Sequence, residues 1–332
     1  MSAIEVLAPG LLTTVQDLGR EGFGALGVSP SGAADPVALR IGNRLVRNAE
    51  GAAGLEMTLL GGTFMFQDGE VAAHTGSDFG AALDGVAIPT WTSFDVKPGQ
   101  TLRLGPTRSG ARCYLCIHGG IEVKPFLGSA STHLLSGLGG HEGRALRKGD
   151  VLKIGGGTGI LGRSFSLSSA CDSNRSRCQK VAAQELKRLA PRKVLRVTPG
   201  PQSDWFPKVA QNVFYSGTYR VSEESNRMGL RLEGATLSEG AHGEMISEGV
   251  SLGAVQIAAG GLPIILFVEQ QTTGGYAKIA NVISVDLSSL GQLRPRDEIR
   301  FELVSFEAAR KLLSKQEELL AAQDLIVEGK IA

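Results

Sequence analysis

The chain has 332 residues, about twice a typical domain, so two domains are expected. Hydrophobic residues make up 42% and aromatics only 5%, enough for sizeable cores but against stacking platforms for nucleic acid. Lys and Arg number 34 against 33 Asp and Glu, and this net charge of +1 gives no support to a nucleic-acid or anionic-membrane partner.

The 45 glycines, about 14% of residues and roughly double the usual share, follow no fixed period. They suit many short strands joined by tight turns. No 18-residue apolar stretch predicts a membrane helix. The opening "MSAIEVLAPG" lacks the basic start and apolar core of a secretory signal, so a cytoplasmic protein with reduced thiols is expected.

In chain order, "IEVLAP" is the first β-prone run. "TVQDLGREGFGALGVSPSGAAD" then places Gln16, Asp17, Arg20, Ser29, Ser31 and Asp35 among glycines, too irregular for a strand. Arg20 has the chemistry to clamp a carboxylate or phosphate in two-point fashion. The plainer alternative is an Asp17–Arg20 turn pair with Asp35 as a helix cap. "DPVALRIGNRLVRN" predicts a helix, with Pro36 at its first position, Val37, Ile41 and Leu45 on one face, and Arg40, Asn43, Arg44 and Arg47 on the other.

Short β-prone runs follow: "FMFQ", "EVAAHTG", "TLRLGP", "RCYLCIHGG" and "VLKIG". Cys113 and Cys116 have C-x-x-C spacing, but on a strand they point to opposite faces, so no zinc or redox pair is expected. "GSAST" (128–132) offers hydroxyls and N–H groups to an anion. His118, His133 and His141 lack zinc-motif spacing, so no metal site is expected. "VKPGQTLRLG", "RKGDVLKIG" and "LRPRDEIRFELV" share a basic residue, a turn and a short strand.

Serine-rich text near residue 165 predicts a domain boundary. The expected division is an N-terminal β domain over 1–175, a linker over 176–190, a C-terminal β domain over 191–306, and a helix with a tail over 307–332. In "SEESNRMGLRLEG", Arg227, Gly229 and Arg231 share a face if the strand begins early. "EQQTTGGYAKIA" (269–280) lies between two apolar runs; its glycines turn the chain, and Tyr276 and Lys278 share a face if the outgoing strand includes both. Neither a Walker-type phosphate loop nor a G-x-S-x-G nucleophile elbow is present. Residue spacing alone therefore reaches a two-domain β protein with glycine-framed polar loops, and no reaction.

Four segments together, "TVQDLGREGFGALGVSPSGAAD", "GLEMTLLGGTF", "SNRMGLRLEG" and residues 251–301 with "EQQTTGGYAKIA", resemble the biotin-dependent carboxyltransferase, or allophanate hydrolase subunit 2, family. Its members include the C subunit of 5-oxoprolinase, the Kip-type antagonist protein and half of the carboxyltransferase region of urea carboxylase. The resemblance spans about residues 4–306. It implies two tandem cyclophilin-like β-barrel domains with a few short helices and a C-terminal helix. It also implies the C subunit of an ATP-dependent 5-oxoprolinase, inactive alone, whose complex opens the small amide 5-oxoproline to L-glutamate. The implied partners are a Kip inhibitor-type protein as the B subunit, together with the A subunit, and ATP with its Mg ion in the assembled complex. Two alternatives stay open: the carboxyltransferase half of a urea carboxylase-like system, and a non-enzymatic antagonist of a Kip-type kinase inhibitor. No A-M-K-M biotin-carrier segment is present, so no biotin is expected on this chain.

The site residues implied are Asp17, Arg20 and Lys278 as catalytic groups. Ser31, Asn43, Arg227, Gln271, Thr272, Thr273, Gly274, Gly275 and Tyr276 are implied to bind substrate or nucleotide. Arg20, Arg227 and Lys278 would neutralise a carboxylate or phosphate, and the glutamine and threonines would hydrogen-bond the amide. Asp17 would serve as a base or orient Arg20.

Overall fold

The computed structural model describes residues 2–156, 177–240 and 245–330. Cys171, "GGGTGILG" beyond Gly156 and most of the serine-rich stretch lie outside these residues. The chain forms two compact units. The first comprises Met1–Gly19, Pro36–Leu189 and Ala322–Ala332, and the second Arg20–Asp35 and Ala190–Ala321.

In the first unit, two seven-stranded sheets carry the fold. One runs in the order Ile121–Glu122, Val151–Ile154, Ala3–Ala8, Thr63–Phe66, Thr101–Arg103, Ala82–Leu83, Val86–Ala87. The other runs Leu12–Gln16, Gly54–Thr58, Arg112–Ile117, Glu70–Gly76, Thr92–Val96, Arg177–Val181, Ile326–Lys330. The core gathers Ile4, Leu55, Phe64, Phe66, Phe94, Leu102 and Leu115. Arg112–Ile117 is buried along its whole length, as a central strand covered on both faces requires. Cys113 and Cys116 are buried free thiols on that strand, and burial pushes both thiols above their usual range. The predicted helix is present as Pro36–Leu45, with Val37, Ile41 and Leu45 buried. Residues 176–190, expected as a linker, instead carry the strand Arg177–Val181 and the helix Ala183–Arg188. Trp91 fixes this strand's end: it sits at φ 62, its N–H reaches the His74 carbonyl, and its carbonyl accepts from the Val181 N–H at 3.1 Å.

The second unit is a closed barrel of Val194–Pro199, Lys278–Val282, Ala254–Ile257, Pro263–Leu266, Gly229–Glu233, Tyr219–Val221 and Glu298–Leu303. Closure leaves no free edge. The helix Lys208–Ser216 packs on it through Phe214, whose ring stacks on Phe301 at 4.4 Å between centroids. The C-terminal helix runs Phe306–Ala321, and Ser305 caps it by accepting the Ala308 N–H at 3.1 Å. Beyond it the chain does not stay helical: Ile326–Lys330 is a strand of the first unit.

Candidate functional site

Residues 269–278 form a polar turn of the second unit. Thr273–Gly274 pairs with Glu248–Gly249 in a two-residue ladder, and the Val250 N–H reaches the Thr272 carbonyl at 3.1 Å. The outgoing strand begins at Lys278, not before Tyr276. Tyr276 lies between that ladder and the outgoing strand and is 46% exposed, whereas Lys278 is buried. The two therefore do not share a face; strand alternation governs only residues inside the ladder.

Glutamine amides surround Lys278. Gln202 accepts the Lys278 backbone N–H through Oε1 at 3.2 Å, donates its own backbone N–H to the Lys278 carbonyl at 3.2 Å, and donates Nε2 to Glu248 at 2.8 Å. Gln271 donates to Gln256 Oε1 at 3.4 Å, and Gln256 donates to the Tyr276 carbonyl at 3.5 Å. Both contacts are at the long limit of hydrogen bonding. The Lys278 ammonium lies 2.6 Å from Glu248 Oε1. Lys278, and after it Gln202, hold the Glu248 carboxyl below its usual range. Gly200 has no room for a side chain, because a Cβ there would come within 2.2 Å of the Lys278 carbonyl oxygen.

Beside this turn a groove of about 580 Å³ is lined by Trp205, Met245, Gly260, Gly261, Gly275 and Tyr276, among others. Its described lining includes Glu239 but no Lys, Arg, His or Cys. Gly274, Gly275 and Thr272 keep the turn narrow, and Gln271 and Thr273 are exposed upon it.

Arg227 is buried and held by two carbonyl-type acceptors: the Glu269 carboxylate accepts from Nε, and the Gly32 carbonyl accepts from Nη2 at 2.7 Å. Its barrel strand begins only at Gly229, so Arg227 turns inward while Arg231 is exposed. Residues 20–35 are thereby tied to the second unit. Ser31, at φ 57, donates its N–H to the Val268 carbonyl at 2.9 Å, and the buried Arg20 donates its N–H to the Pro30 carbonyl at 2.8 Å. These contacts bring Ser31 and Arg227 to the start of the 269–278 turn, and Arg20 lies in the same unit.

Asp17 and Asn43 belong to the first unit and have structural work there. The anion held by "GSAST" is Asp17 itself. Its Oδ1 accepts from Gly19 N–H at 2.8 Å, Ser129 Oγ at 2.7 Å and Ser131 Oγ, and its Oδ2 accepts from Ala130 N–H at 2.6 Å. A carboxylate engaged by four donors of its own chain pins a loop rather than reaching for a substrate. Asn43 is fully buried and donates to the Glu50 and Ala52 carbonyls at 3.1 and 2.7 Å. Its role is to close the 48–52 turn after the helix. The "HEGR" residues form another local knot: Arg144 bonds Glu142 and Asp150, and holds the Asp150 carboxyl down to about 2.

Sequence reasoning missed Glu248, Glu269, Gln202 and Gln256. Glu269 is the first letter of the identifying string; the others lie on separate segments with no local mark.

The profile of the carboxyltransferase domain, subdomain A and B, matches residues 26–303. The chain is 38% identical over 314 residues to an Escherichia coli protein named as the C subunit of 5-oxoprolinase, covering 95% of each chain. It is 35% identical to a Haemophilus influenzae protein of the same name, covering 98% of this chain and 99% of that one. The crystal structure of the Kluyveromyces lactis urea amidolyase aligns with a TM-score of 0.85 at 30% identity, over 98% of this chain but only 21% of the larger one.

Proposed function

The chain belongs to the family of the carboxyltransferase domain, subdomain A and B, and from that premise we propose that it is the C subunit of a 5-oxoprolinase. The observation that carries this reading is co-extension. The chain spans almost the entire length of the bacterial 5-oxoprolinase chains it matches, and about a fifth of the urea amidolyase. In this proposal it works in the cytoplasm with the A subunit and a Kip inhibitor-type B subunit, is inactive alone, and the complex hydrolyses 5-oxoproline to L-glutamate with ATP. Among the described residues no helix is long and apolar enough to cross a membrane.

The polar turn supports the substrate class. A lactam presents a cis N–H and C=O side by side, and a primary carboxamide can meet both with two hydrogen bonds. Gln271 is exposed on the turn and meets the buried Gln256 only at 3.4 Å, so in this reading its amide is the one that re-pairs with such a ring. Tyr276 stands at the groove rim, where its ring can cover an apolar ring face. In this reading the chain's part is to bind and orient the lactam.

A nucleotide triphosphate does not fit the same groove. Its described lining offers no cation and includes Glu239, and the buried Arg227 is held by Glu269. A polyphosphate needs Lys, Arg or an N–H cradle. The proposal therefore places ATP and its Mg ion elsewhere in the complex and routes no step through them here.

The urea amidolyase likeness supports a second reading, the carboxyltransferase half of a biotin-dependent system. Co-expression separates the two. This chain with the A and B subunits should release glutamate from 5-oxoproline and ATP, without any biotin-carrier protein. Dependence on a biotinylated partner would favour the second reading.

A further inference from the structure

Arg196, Arg227 and Lys278 each meet a carboxylate in the second unit, and they meet it differently. Arg196 holds the buried Asp286 with its backbone N–H at 2.8 Å and its Nε at 2.9 Å. Arg227 and Glu269 are both buried, at 5% and 3% exposure of their side chains. Lys278 is 3% exposed, but its partner Glu248 is 45% exposed. A buried cation needs a carboxylate. Here the cation is fixed and the carboxylate is on the surface.

The rigidity is equally one-sided. Lys278 opens a barrel strand, and Gln202 brackets its peptide with a backbone N–H and a side-chain oxygen. Glu248 sits on a strand of two residues. Its neighbour Gly249 is exposed, and a Cβ built there meets nothing within 4 Å. Lys278 Nζ and Gln202 Nε2, at 2.6 and 2.8 Å, both address the same atom, Oε1 of Glu248. A buried ammonium in ion-pair contact and one amide donor converge on a single carboxylate oxygen and form an anion site, occupied in the resting chain by an exposed residue.

We propose that Lys278 and Gln202 are a receptor for the carboxylate of a small substrate, and that Glu248 is a built-in plug which that carboxylate displaces. The existence of the receptor rests on this geometry alone; naming the carboxylate as that of 5-oxoproline rests on the 5-oxoprolinase reading. With the carboxylate on Lys278, the ring lies toward the amides of Gln256 and Gln271. Specificity then follows from chemistry: a lactam without a carboxylate cannot dislodge Glu248.

Isothermal titration of the full chain with acetate, 5-oxoproline and 2-pyrrolidinone tests this in wild type, Glu248→Gln and Lys278→Met. A plug closed about nine-tenths of the time weakens apparent affinity roughly tenfold, so Glu248→Gln should bind both carboxylates about tenfold more tightly. Lys278→Met should lose both. The uncharged 2-pyrrolidinone should be indifferent to either change. Glu248 is on the surface, so its variant carries the test even if Lys278→Met folds poorly. Acetate affinity unchanged or absent in Glu248→Gln, or retained in a folded Lys278→Met, overturns the receptor. If acetate behaves as expected and 5-oxoproline does not, the receptor stands and the 5-oxoprolinase reading falls.

Discussion

His74 offers a stability test that isolates one buried group. The side chain is fully buried on the strand Glu70–Gly76, and burial lowers its pKa to about 4, against smaller opposing effects from Asp78 and Ser77. A histidine in the unfolded chain takes its proton near 6.5. Above that value both states are neutral, and the folded state carries no penalty. Between 6.5 and about 4 the unfolded state binds a proton that the folded state refuses, so stability is lost as pH falls. Below about 4 the loss stops growing. The gap of roughly 2.5 pKa units corresponds to about 3 kcal/mol in full, of which about 2.5 is already lost near pH 4.5. The assay is urea unfolding at about pH 7.5 and about pH 4.5, with and without His74→Gln. Trp91, whose N–H bonds the His74 carbonyl, reports the first unit by fluorescence in a Trp205→Phe background. The wild type should lose about 2.5 kcal/mol more than His74→Gln on acidification. Equal losses would mean that His74 is already reachable by protons and that the reasoning from burial fails.

Other outcomes follow from the same contacts. Arg227→Met strands the buried Glu269 carboxylate and should cost about 3–5 kcal/mol in urea unfolding, with much of the loss recovered by adding Glu269→Gln. Asp17→Asn weakens a four-donor knot and should cost about 1.5–3 kcal/mol, while any activity loss in the assembled complex should track the fraction folded, as expected of a loop anchor rather than a base. Gly200→Ala should destabilise strongly because its Cβ meets the Lys278 carbonyl, whereas Gly249→Ala, which meets nothing, should leave the melting temperature nearly unchanged.

Much of the fold is legible in local text. Pro36 and the spacing of Val37, Ile41 and Leu45 mark their helix, and the unbroken apolar run around Cys113 marks a central strand. The identifying string at 269–280 lies on a polar turn of the barrel unit and runs into the strand Lys278–Val282. What the sequence hides is pairing over distance. Asp17 finds three of its four donors 112 to 114 residues away, and Arg227 finds Glu269 42 residues away, so neither charge can be recognised as spent from its own neighbourhood. Arg227 and Lys278 read as free cations for the same reason. Asn43 reads as a solvent-facing helix residue because a buried amide serving two carbonyls of the following turn has the same helical spacing as an exposed one. Tyr276 and Lys278 look like one face only if the strand includes both, but the Thr273–Gly274 ladder stops before Tyr276 and the outgoing strand begins after it, at Lys278.

The most direct test is glutamate release from 5-oxoproline and ATP by this chain co-expressed with the A and B subunits. The complete complex should produce glutamate stoichiometrically with ATP consumed, and omission of this chain should abolish it. A well-folded complex that makes no glutamate, or one that makes it equally well without this chain, would contradict its assignment as the C subunit.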